Sequence, residues 1–150
     1  MRKMLLSFER GGELIVHLNE QAPETVQRVL EALPYENYAM HTRWCGREIS
    51  FGIETKELPP KENNTGIVSK FDVTYWRDWD NGSKEAMPGA PGREAIAFYY
   101  GPEKLSYHGG SICANIIGRV DWMQEQLLEE IGLRIWQKGF EQVKAQELSP

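Results

Sequence analysis

His41, Arg43 and Cys45 stand at alternate positions in the segment Met40-His41-Thr42-Arg43-Trp44-Cys45-Gly46, and they carry three different reactivities. A histidine exchanges protons near neutral pH, and an arginine holds a carboxylate through two parallel hydrogen bonds. A cysteine is a nucleophile where its thiolate is favoured. On a regular strand alternate side chains share a face roughly 6.5–7 Å apart. The spacing therefore predicts that His41, Arg43 and Cys45 project together, with Met40, Thr42 and Trp44 turned into the core. A groove beside the trio would let His41 move a proton while Arg43 orients an anion. Direct Cys45–His41 pairing requires the two side chains to lean together. The competing reading is a polar outer strand face with no chemistry.

Further candidates lie nearby in the sequence. Trp44 is a ligand platform or, more simply, a core residue. Glu48, beyond Gly46, is a general base or the ion-pair partner of Arg47 or Lys56. Trp79 sits between Asp78 and Asp80, where burial is difficult, and suits a lid that stacks on a flat ligand. His108-Gly109-Gly110-Ser111 reads as a turn whose N–H groups could face an anion, or as a plain glycine-rich hairpin. His17, His41 and His108 are scattered without zinc-ligand spacing, and no phosphate-binding or dinucleotide glycine pattern occurs. No metal or cofactor is expected.

The elements that position these residues are mostly strands. Two are predicted at residues 3–8 and 13–18, joined through Gly11-Gly12, with Leu14, Val16 and Leu18 on one face. Pro23 opens a helix over residues 23–33, its stripe formed by Val26, Val29, Leu30 and Leu33, and Pro34 stops it. Strand character returns over residues 39–53, interrupted at Gly46. Further strands are expected around Phe71-Val73-Tyr75, over 94–100 and over 111–120. Between the first two, residues 77–93 form a long loop that is either a lid or a surface excursion. Asp121 caps a second helix from Trp122 to about Ile131, with Trp122, Met123, Leu127 and Ile131 on its apolar side. After Gly139 the segment 140–145 could close a sheet as a last strand.

Composition limits the function classes. The 150 residues suit one domain, 1–150, with a core that needs neither disulfide nor metal. Seventeen Lys and Arg against 22 Asp and Glu give a net charge of −5, which argues against nucleic-acid or anionic-membrane partners. The opening apolar run ends at Phe8-Glu9-Arg10, short of a signal peptide, and no segment reaches membrane-spanning length. Two isolated cysteines fit reduced thiols and a cytoplasmic location. A homo-oligomer is compatible with this composition.

The order of several short motifs resembles that of cyclophilins, and more closely that of a bacterial cyclophilin-like domain family of unknown function. The motifs are Ala22-Pro23-Glu24-Thr25, Leu33-Pro34, His41-Thr42-Arg43-Trp44-Cys45-Gly46-Arg47-Glu48 and Pro60-Lys61-Glu62-Asn63-Asn64-Thr65. They continue in Phe98-Tyr99-Tyr100-Gly101 and Asn115. The resemblance implies a mainly β fold, a small closed barrel with about two capping α-helices, in agreement with the strand pattern. Tyr100 and Asn115 join Trp44, Glu48, Trp79 and His108 as ligand-binding candidates. In cyclophilins a histidine directly precedes the arginine, whereas Thr42 intervenes here, and the later isomerase signatures have no counterpart. Binding of a small polar or carboxylated metabolite, with acid–base chemistry on it, is thus the leading expectation. A peptide-binding or prolyl-isomerase-like domain and a noncatalytic oligomeric module are the alternatives.

Overall fold

The computed structural model describes residues 1–79, 93–107 and 110–149. Eight antiparallel strands close into a barrel: β1 (Lys3–Phe8), β2 (Glu13–Leu18), β3 (Tyr35–His41), β4 (Glu48–Gly52), β7 (Asp72–Arg77), β8 (Glu94–Tyr99), β12 (Ala114–Val120) and β13 (Glu141–Leu148). Their order around the barrel is β2-β1-β13-β3-β4-β8-β7-β12, and pairing of β12 with β2 shuts the ring. Closure leaves none of these eight strands as a free edge. The expected barrel class is therefore observed, and residues 141–148 do form the last strand, between β1 and β3.

Alternation explains the inner face. Leu14, Val16 and Leu18 are buried on β2, Ile49 and Phe51 on β4, and Ile96 and Phe98 on β8. The β1–β2 turn depends on Gly11 and Gly12, whose φ values of +110° and +97° disfavour any side chain. Helix α1 (Pro23–Glu31) contributes Val26, Val29 and Leu30 to the same core. Helix α2 (Glu125–Lys138) follows a short 3-10 turn and contributes Leu128, Ile131 and Ile135. Its observed face corrects the expected one. The helix runs on past Ile131 to Lys138, and Trp122 and Met123 are exposed because they belong to the preceding 3-10 turn.

Three of the motif segments meet in one structural knot at the start of α1. The helix has no capping side chain of its own, and Glu62 supplies one from a distant loop. Its carboxylate accepts from Glu24 N at 3.2 Å, Thr25 N at 2.8 Å and Thr25 Oγ1 at 2.7 Å. Placing a negative charge on unpaired N–H groups at a helix start is favourable twice over. Asn115, wholly buried, donates to Thr25 Oγ1 and the Pro60 carbonyl and accepts from Glu62 N and Asn64 Nδ2.

The outer pleat of the barrel is also buried on one side. β8 is buried at all six positions, so both of its faces are covered. The cover is built from four short strands: β6 (Ile67–Val68), β9 (Glu103–Lys104), β10 (Ser106–Tyr107) and β11 (Gly110–Ser111), paired β6–β9 and β10–β11. The two-residue strand β5 (Asn64–Thr65) pairs antiparallel with the start of β12. Val68, Leu105, Ala97, Tyr99 and Ala114 make a second hydrophobic cluster, separate from the barrel interior.

Candidate functional site

Beside this cover lies a half-open chamber against the outward pleat of β4, β8, β7 and β12. Its volume of about 50 Å³ exceeds the roughly 10–15 Å³ that one water requires. Trp44, Trp76, Leu105 and Ile112 supply apolar walls, and Ala95, Ala97 and Ala114 leave the space open by being small. Among the described residues the polar lining consists of Glu48, Cys45, Tyr99 and the hydroxyls of Thr42, Ser50 and Thr74, without any Lys or Arg.

Glu48 is the centre of this lining. It opens β4 directly opposite Tyr99 on β8 and is buried, pointing outward while its neighbour Ile49 points inward. Desolvation dominates and pushes its pKa from 4.5 up to about 7, despite hydrogen bonds from Tyr99, Thr42 and Cys45 that favour the charged form. Two chains of hydroxyls converge on it. Thr42 and Ser50 are 2.6 Å apart, and Thr74 and Tyr99 are 3.0 Å apart. When the carboxylate is ionised, Thr42 and Tyr99 donate to it, so Ser50 and Thr74 donate to them in turn. A carboxyl poised near neutrality with donors arrayed around it can give or take a proton at physiological pH.

The trio expected on one strand face does not form. β3 ends at His41, and residues 42–46 turn through hydrogen bonds from Cys45 N to Thr42 O and from Gly46 N to Arg43 O. Gly46 adopts φ +103°, which completes the turn. The three side chains therefore go three ways. His41 enters the interior, 2.5 Å from the Tyr100 hydroxyl and packed edge-on against Trp136. Its Nδ1 is buried without a hydrogen-bond partner among the described residues, and burial, aided by the Arg43 charge, lowers its pKa to about 4. Arg43 lies on the surface, donates to the Trp136 carbonyl at 2.7 Å and stacks over that indole. Cys45 faces the chamber, between the Glu48 carboxyl and the Ser106 carbonyl, and burial raises its pKa to about 12.

The remaining candidates divide the same way. Trp44, expected in the core, is partly exposed at the chamber wall, because the turn carries it out of the strand. Glu48 pairs with neither Arg47 nor Lys56; Arg47 instead meets Glu103 at 3.3 Å. Tyr100 is inside the barrel with His41, and Asn115 is held in the α1 knot, so neither lines the chamber. Trp79 donates to the Cys113 carbonyl at 2.7 Å and lines an adjacent hollow rather than the chamber itself. His108 and most of the 77–93 loop lie outside the described residues. Tyr99, Thr42, Ser50 and Thr74 line the chamber although no motif marks them as site residues, and Trp76, beside the long loop, lines it with them. For Ser50, Thr74 and Tyr99 the one signal in the sequence is period-two alternation on β4, β7 and β8, which sets them on the face opposite the core; Thr42, expected in the core, is carried to the chamber by the turn at residues 42–46.

The fold is similar to that of a solved protein, McbB, determined in complex with tryptophan. The TM-score is 0.70 at 16% sequence identity, over 95% of this chain and 44% of that one. This chain thus spans less than half the length of that neighbour. No curated protein matches the sequence. One family pattern does, across residues 9–146, and the chain belongs to that family, described as a protein of unknown function (DUF3830).

Proposed function

We propose that the chamber beside β9–β11 binds a small, flat molecule bearing an N–H donor, and that Glu48 receives that donor. The observation that carries this reading is a buried carboxyl with a pKa near 7 inside a chamber otherwise lined by indoles, aliphatic groups and hydroxyls. Ligand pockets combine apolar walls for affinity with a few converging polar groups for orientation; at about 50 Å³ the chamber is smaller than the roughly 150 Å³ cavity that takes a benzene ring, so a flat ring lies only partly inside it, against the exposed Trp44. Trp44 and Trp76 wall the chamber with indole rings, and Glu48 is the strongest acceptor among the lining groups. The tryptophan bound to the structurally similar McbB is a molecule of this kind.

Arg43 is removed from the anion-binding role by its engagement with Trp136, outside the chamber lining. The same placement argues against the cyclophilin-type isomerase alternative, which needs an arginine in the groove. If the bound molecule is turned over, Glu48 is the group that takes its proton, with Tyr99 and Thr42 stabilising the carboxylate between steps.

Calorimetry with indole and with other neutral N–H heterocycles tests the reading. Binding should favour ionised Glu48, and below pH 7 it should release protons, seen as a dependence of the heat on buffer ionisation. In Glu48→Gln affinity should fall about tenfold, as expected on losing a charge-assisted bond, and the proton release should vanish. Equal affinity and unchanged proton release in that variant would overturn the assignment.

A further inference from the structure

Beside the chamber lies a second hollow of about 180 Å³, lined by Lys61, Arg77, Asp78, Trp79 and Cys113 among others. Trp76 and Ile112 line both spaces and so form their common wall. We propose that this hollow is the carboxylate-binding half of the same site, so that the ligand is a flat N–H heterocycle carrying a short acidic tail. The proposal rests on the chamber reading and adds the ligand's charge and shape to it.

Three observations support it. Among the described residues the chamber is lined by a carboxyl and no cation, whereas the hollow next to it brings together two cations. Among the described residues neither Lys61 nor Arg77 forms an ion pair, although Asp78 lines the same hollow. Arg77 is also held in place before any ligand arrives, and the backbone on either side of Lys61 is fixed while its exposed side chain is not. Arg77 donates through Nε to the Pro59 carbonyl at 2.8 Å and through Nη1 to the Asp78 carbonyl, and it stacks over Trp79 with 4.8 Å to the ring centre. Lys61 lies between Pro60 and Glu62, whose backbone groups are both bonded to the buried Asn115. Residues 59–62 are thus pinned to Arg77 on one side and to β12 on the other. That arrangement lowers the ordering cost of clamping a carboxylate between the two cations.

The test compares four probes on the intact protein: indole, tryptamine, indole-3-propionate and propionate. Indole-3-propionate should bind at least tenfold tighter than indole, and tryptamine should gain nothing. Lys61→Gln should remove most of that advantage while leaving indole affinity unchanged, and Arg77→Lys should weaken it without loss of folding. Added salt should weaken indole-3-propionate and spare indole. Equal binding of indole and indole-3-propionate, with indole still dependent on Glu48, would overturn the acidic tail and leave the chamber reading intact. An advantage that survives Lys61→Gln and Arg77→Lys together would place the anion elsewhere and overturn the assignment. Failure of every probe to bind would sink both readings.

Discussion

Glu48 and Tyr99 face each other directly across the β4–β8 ladder, on the outward side of a closed barrel, and the tyrosine hydroxyl favours the ionised form of the carboxyl. Both would be solvent-exposed on a bare barrel of this kind. The ribbons β6–β9 and β10–β11 bury them instead, and burial raises the pKa of each group. A tyrosine shifted upward stays a donor across the physiological range, while the carboxyl beside it changes state within that range. The pair therefore has one fixed and one switchable member, which is the division of labour an acid–base site requires.

The pH dependence of stability should expose two opposing buried groups. Glu48 has a raised pKa, so the folded state holds its proton more tightly; the associated stability is complete below pH 4.5 and is lost as pH rises through 7. His41 has a lowered pKa, so its contribution is complete above pH 6.5 and is lost as pH falls through 4. Each effect amounts to roughly 3 kcal/mol, because a tenfold change in proton affinity between the folded and unfolded chain is worth about 1.4 kcal/mol. Between pH 4.5 and 6.5 the two slopes offset each other in the parent protein. Urea midpoints across pH 4–8 should accordingly rise with pH in Glu48→Gln and fall with pH in His41→Phe over that window. Parallel profiles for the two variants would contradict the burial of one or both groups.

Much of the barrel is visible in the letters, and the reason is periodicity. Leu14-Ile15-Val16-His17-Leu18 and the α1 stripe each repeat with the period of the element they form, and Leu14, Val16, Leu18, Val26, Val29 and Leu30 are all buried as that repeat predicts. The site is harder to read because two facts that define it have no period. One is the turn at residues 42–46, where Gly46 is the only breaker and the preceding alternation imitates a continuing strand. The other is the cover, made of two-residue strands too short to carry a pattern. Glu48 is legible as a possible base, yet its burial depends on Leu105 and Ile112, distant in the chain. Tyr100 stands out in the sequence and Tyr99 does not, since aromatic side chains on adjacent strand positions point to opposite faces and the letters do not say which face is covered.

Cys45 should behave as an inert thiol. With a pKa pushed up to about 12, only about one molecule in ten thousand carries the thiolate at pH 8, and burial restricts access further. Iodoacetamide at pH 8 should leave Cys45 unmodified in the folded protein and label it rapidly in urea, as read by peptide mass spectrometry. Saturation of chamber binding should not alter this. Fast native labelling of Cys45 would show an open chamber and restore the nucleophile reading.

The knot at α1 links the fold to the proposed anion half of the site, and a graded pair of substitutions separates its two roles. Asn115→Ala strips four hydrogen bonds at a fully buried position and leaves Glu62 N and the Pro60 carbonyl without those partners. At about 1–3 kcal/mol for each of these two buried groups left unpaired, the loss should reach roughly 2–6 kcal/mol, read as a lowered urea midpoint. Glu62→Gln keeps the size of the side chain and one acceptor oxygen but removes the charge from the helix start, at a cost of about 1 kcal/mol. Because Asn115 also fixes the backbone on either side of Lys61, Asn115→Ala should weaken indole-3-propionate more than indole at temperatures where the variant remains folded. Glu62→Gln leaves the Asn115 contacts to Pro60 O and Glu62 N in place and should weaken neither probe. A variant of Asn115 that unfolds more easily yet binds both probes as the parent does would confine the knot to stability and detach it from recognition.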